Sequence, residues 1–124
     1  MARKVDSLQR LFEEQLKDLY DAERQVNSAL PKMSQKASHS DVQQAFREHL
    51  EATKNQMDRL ERIFGELGIS DRKRKCRGME GIIRENDEIV QEVSDPDVRD
   101  AALITAAQRV EHYEVAGYGT ARAY

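Results

Sequence analysis

Val110-Glu111-His112-Tyr113-Glu114-Val115-Ala116-Gly117-Tyr118-Gly119 lies in a segment, Asp100 to Tyr124, that is apolar or small nearly all the way round a helix (Ala101, Ala102, Leu103, Ile104, Ala106, Ala107, Val110, Val115, Ala116). A helix of that composition is normally enclosed by other helices rather than laid on a surface. Two glutamates nevertheless occupy its centre, and the i,i+3 spacing of Glu111 and Glu114 points both the same way. Glu114 falls on the face carrying Ala107, Val110, Gly117 and Ala121. A buried carboxylate without a partner is costly. A cation, a basic partner or a proton has to compensate it, and which of the three does so is the functional question.

Working outward, the composition fits a helical surround. Charged residues make up 35% of the 124, aromatics only 6%, with two prolines and six glycines, which argues for charged outer helix faces and against a strand-rich fold. The length suits one domain with a usable core. A net charge of −3 creates no overall attraction to nucleic acid or an anionic membrane. One cysteine, Cys76, excludes an internal disulfide framework and a cysteine-based zinc site. The start of the chain has no apolar signal core and no run is long enough to span a bilayer, so a cytoplasmic location is expected.

Four helices are predicted. The first runs from about Asp6 to about Met33, capped by Asp6 or Ser7, with a stripe of Val5, Leu8, Phe12, Leu16, Leu19, Val26, Leu30 and Met33. Glu23 stands at the centre of that stripe. The ordinary reading of such a glutamate is a boundary residue paired with a nearby lysine or arginine, but its central angle weakens it. Pro31 predicts a bend or an end. The second helix, capped by Ser40 or Asp41 and closed by Gly68, carries Val42, Ala45, Phe46, Leu50, Thr53, Met57, Leu60, Phe64 and Leu67. His49 and Gln56 flank this stripe, and Glu51 points away from it. A lone histidine there is usually a satisfied core residue. Yet in an antiparallel hairpin Glu23, roughly 15 Å before the first helix ends at 1.5 Å per residue, comes level with the region His49 to Thr53.

Arg72-Lys73-Arg74-Lys75, with Arg77, forms a basic connection that lacks interleaved aromatics and reads as a solvated loop rather than a nucleic-acid contact. Cys76 opens the stripe of a third helix, roughly Cys76 to Val93, and is expected to pack rather than react. Ser94-Asp95-Pro96-Asp97 stops that helix and starts the last one. No stop signal follows Thr120, so the final helix is expected to continue past Tyr124.

Three long helices thus direct Glu23, His49 (with Gln56 nearby), Glu111 and Glu114 toward one level of an all-α antiparallel bundle. Bundles that hold two metal ions use glutamates and histidines from several helices in this way. An oxygen-rich, histidine-containing set suits iron or manganese. Tyr20, Tyr113 and Tyr118 could hydrogen-bond to a carboxylate or relay an electron, space-filling being their ordinary role. The competing reading is a structural protein whose helical hairpins assemble, its glutamates matched by protons or by arginines such as Arg109.

Asp100-Ala-Ala-Leu-Ile-Thr-Ala-Ala-Gln-Arg-Val-Glu-His-Tyr-Glu-Val-Ala-Gly-Tyr-Gly119 closely resembles the signature of the YciE/YciF stress-protein family. Asp21-Ala-Glu23-Arg-Gln25, Ala29-Leu30-Pro31-Lys32-Met33, His49-Leu50-Glu51 with Thr53 and Gln56, and Cys76 with Met79-Glu80-Gly81-Ile82 agree with it, so the likeness spans nearly the whole chain. It implies a ferritin-like, rubrerythrin-related bundle over residues 1–124, a homodimer, and a carboxylate-bridged dinuclear iron or manganese centre associated with stress, iron or peroxide, without assigning a catalytic residue. Glu23, Glu111 and Glu114 are the metal ligands carried over. Ala52 stands where the family usually has an acid and Lys54 where some members have histidine, so His49 is the substitute for the second helix. The family's further long helix, which supplies the remaining ligands, is absent from this sequence, leaving the bundle C-terminally incomplete.

Overall fold

A computed structural model describes residues 4–124; Met1 to Arg3, part of the stretch read as lacking a signal core, lie outside them. Among the described residues the architecture is all α: α1 (Leu8–Lys36), α2 (Ser40–Leu67), α3 (Arg77–Gln91) and α4 (Pro96–Ala123). Among the described residues no helix is long and apolar enough to cross a membrane. Ser7 caps α1, its hydroxyl accepting from Arg10 N at 3.1 Å. Gly68 ends α2 at φ 70°, the left-handed conformation that closes a helix with least strain on glycine. Asp95 caps α4 through Val98 N (3.0 Å), with Pro96 in the first turn.

Two local expectations are corrected. The α1 helix does not end at Pro31 but continues through it to Lys36. A proline removes one i→i−4 bond, and the flanking Leu30 is buried in the core, which holds the helix together across that loss. Nor does Ser40 or Asp41 cap α2. His39 is the cap residue and offers no side-chain bond. Instead Asp100, from the start of α4, accepts from both Ser38 N and His39 N at 2.8 Å.

The hub is α1, which packs on α2, α4 and α3, while α3 packs on α4; α2 has an extensive interface with α1 only. Gly117 lets α4 approach α1 closely, for a Cβ there would lie 2.6 Å from Leu19 Cδ2. The α4 helix is therefore not enclosed on all sides: Ile104 and Val115 are exposed. The core falls into two apolar clusters. One gathers Ala22, Val26, Leu30, Phe46, Met79, Leu103 and Val110 around the α1–α2 turn and α3. The other joins Leu16, Leu19, Leu60, Phe64 and Ala121 at the opposite end. Along α1, α2 and α4 alike, the polar residues singled out from sequence lie between the two.

Candidate carboxylate centre

Glu23 on α1 is completely buried and Glu114 on α4 nearly so, at 0% and 6% exposure. Their carboxylates meet within hydrogen-bonding distance. On α2, Thr53 is also fully buried, and Gln56 one turn on is the side chain that lies against both carboxylates. His49 lies one turn the other way and contacts α4 instead, Nε2 at 3.3 Å from Glu114 Oε1 and Nδ1 at 3.9 Å from Glu111 Oε1. The four residues expected from the sequence are thus neighbours, but unequal ones. Glu111 is half exposed at the rim, whereas Glu114 faces inward.

No lysine or arginine among the described residues forms an ion pair with Glu23 or Glu114, and Arg109, the partner considered from sequence, instead bonds Glu85 at 2.8 Å. Burial, with the Glu114 carboxylate beside it, pushes the Glu23 carboxyl up to about 9. Glu23 Oε1 is buried without a hydrogen-bond partner, and the Tyr118 hydroxyl is buried beside the Glu23 carboxyl. Burial, the neighbouring Glu23 and then Glu114 raise the Tyr118 phenol above its ordinary range, keeping it protonated. The Gln56 amide presents its oxygen to the two carboxylates, acceptor facing acceptors. Turned over, its nitrogen would donate to Glu23 Oε2 and, at 3.2 Å, to Glu114 Oε2. Among the described residues, no three side chains of the His, Cys, Asp and Glu types close on one point as a finished metal cage.

This polar layer opens into a groove of about 960 Å³ between α2 and α4. Its walls include Phe12, Ala52, Leu60, Ile63 and Val115, with His49, Gln56 and Glu114 at its floor. Ala52 matters here, since a methyl replaces the acid that the family resemblance would put on that wall.

The other polar groups have local partners. Arg74 pairs with Glu14 (3.5 Å) and Asp18 (3.6 Å), Lys75 with Glu80 (2.6 Å), and Arg72 stacks 5.1 Å from the Phe64 ring centroid. Arg72, Arg74 and Lys75 thus turn back onto the protein rather than being simply solvated. Sequence reasoning missed the burial of Glu14, which Lys17 from its own helix and Arg74 from a distant loop both meet. Cys76 is buried and free, its thiol 3.0 Å from the Tyr113 hydroxyl and 3.3 Å from Asp18 Oδ2, while Sγ accepts from Met79 N as the cap of α3. Burial raises the thiol pKa, consistent with a packing and capping role. Of the other tyrosines, Tyr20 donates to Glu61 (2.6 Å) and Tyr113 to Asp18 (3.2 Å).

The fold and site define an all-α bundle with a buried carboxylate layer between two apolar clusters. The chain belongs to the family described as Domain of unknown function (DUF892), which matches residues 7–124, and to the YciE/YciF proteins within it. Protein YciF of Escherichia coli (strain K12) is 42% identical over 117 residues, 94% of this chain and 70% of that protein. The crystal structure of that E. coli stress protein superposes with a TM-score of 0.88 over 94% of this chain and 74% of its own. YcfI from Rhodopseudomonas palustris, suggested to be a structural protein, is 41% identical and superposes with a TM-score of 0.95, covering 99% of this chain and 78% of its own.

Proposed function

We propose that the buried pair Glu23 and Glu114, with His49 beside them, binds a divalent cation of the iron or manganese class in a ferritin-like stress protein. The observation that carries this reading is the burial of two carboxylates against each other with no lysine or arginine paired to them. In that state one proton has to be held between them. A dication would neutralise both charges and give the unpartnered Glu23 Oε1 a ligand. The donor chemistry fits: carboxylate oxygens with one imidazole are the set that suits such ions better than thiolate sites do. Glu23, His49 and Glu114 would hold the ion, with Glu111 at the rim. Bound there, an ion of this class supplies redox or Lewis-acid chemistry. The chain's own part is to keep water from Glu23 by the two apolar clusters and to leave the groove side accessible through His49 and Glu111.

Uptake would displace the shared proton, so cation and proton compete for the same oxygens. Dialysis against Mn(II) or anaerobic Fe(II), followed by desalting and elemental analysis, should leave metal on the protein. Glu114→Ala should lose it, together with the saturable near-ultraviolet absorbance expected on aerobic Fe(II) addition. Protein that retains no metal, or a variant that retains as much, overturns the reading. The competing structural role is favoured by the apolar walls of the α2/α4 groove; a metal-free homodimer would support it.

A further inference from the structure

Three oxygens, each from a different helix, confront one another at the centre: Glu23 Oε2 from α1, Glu114 Oε2 from α4 and the Gln56 amide oxygen from α2. Were both carboxylates charged, three acceptors would repel, and only a proton donor or a cation reconciles them. Turning the amide supplies the donor, since its nitrogen then bonds both carboxylates. Keeping the amide as it stands leaves a point that either the proton held on Glu23 or a cation satisfies.

We propose that Gln56 is a switchable ligand: its carbonyl oxygen joins Glu23 and Glu114 around one divalent cation, and its nitrogen replaces that cation when the site is empty of metal. The inference rests on the metal-binding reading above and adds to it a residue and a stoichiometry. Two carboxylates and a neutral amide balance the charge of one dication. Beyond the residues that hold the first ion, a second would find only the half-exposed Glu111, because the facing wall carries Ala52. The primary site is therefore mononuclear in this chain, unlike the dinuclear centre that the family resemblance implies. A hard cation is selected, since oxygen donors meet at the centre and the single nitrogen lies to one side. One further buried oxygen, Glu23 Oε1, lacks a partner and is available to the same ion or to water bound on it.

Titration of the whole chain with Mn(II), followed by loss of the free-ion electron paramagnetic resonance signal, tests this. The wild type should bind one equivalent tightly. Gln56→Met, which keeps the side-chain length without the oxygen, should weaken binding at least tenfold, and Gln56→Glu should restore it. Unchanged affinity in Gln56→Met overturns the ligand assignment and leaves the metal site standing. Two equally tight equivalents overturn the single-ion arrangement. No binding by the wild type removes the metal reading itself. If Gln56→Met fails to fold, nuclear magnetic resonance of the ¹⁵N-labelled wild type decides: the Gln56 side-chain amide signals should shift on adding Zn(II) as a diamagnetic probe. Signals that stay in place exclude the switch.

Discussion

Glu23 gains nothing from being charged in its site, and that sets a pH dependence. Its carboxyl titrates near 4.5 in an unfolded chain and at about 9 in the fold, first because of burial and then because of Glu114. Between those values the folded protein holds a proton that the unfolded chain has released, so stability falls as pH rises through this window and levels off above it. The slope for one such proton is about 1.4 kcal/mol per pH unit at most. Glu23→Gln keeps the shape and stays neutral, so it should flatten the dependence and be more stable than the wild type at pH 8 in metal-free buffer. Urea midpoints at pH 5 and pH 8 measure this. Equal slopes in the two proteins would mean that Glu23 is not the group that holds the proton. Much of this site was legible in the sequence, because a glutamate on an apolar stripe stands out against its neighbours. The part played by Gln56 was less so: a neutral amide at the edge of a stripe carries no charge signal, and only the third dimension turns its oxygen toward Glu23.

At the scale of single elements, helix ends governed by local chemistry were readable in advance, as at Ser7, Gly68 and the Asp95-Pro96 pair. Those governed by distant residues were not. The start of α2 is held by Asp100, sixty-odd positions away along the chain, and no local motif encodes that. Asp100 also gives this turn its own pH signature. The Ser38 amide, followed by that of His39, holds its carboxyl below the ordinary 3.8, so its contribution is present above that value and fades as pH falls through the lowered one. His39 behaves oppositely. Asp97 first, then Asp100, raise its imidazole above 6.5, so its contribution is complete below 6.5 and is lost as pH rises through the raised value. The turn is therefore best secured between 3.8 and 6.5. Asp100→Ala should lower Tm by several degrees, and its difference from the wild type should be widest in that interval. A difference that does not vary with pH would assign the loss to packing alone.

Taken as a whole, the molecule is a hub with one loosely tied member. The α1 helix packs against every other helix, whereas α2 has its extensive interface with α1 and faces α4 across the groove. The polar side-chain link from α2 to α4 runs through the carboxylate layer, as His49 to Glu111 and Glu114, with Gln56 set against Glu23 and Glu114. Opening free energy varies across a structure with the contacts that each element makes. The middle of α2 should accordingly open more readily than α1, whose residues Leu19, Ala22, Val26 and Leu30 are all buried. A cation bound by Glu23, Gln56 and Glu114 would tie α1, α2 and α4 together and stabilise only the closed arrangement. Hydrogen exchange followed by mass spectrometry, with and without Mn(II), should then show added protection around residues 49–56 and 110–118. Protection in α3, which contributes nothing to the site, should change far less. Uniform protection over all four helices would indicate general stabilisation of the fold, and no change around 49–56 would show that α2 is not drawn in by the ion.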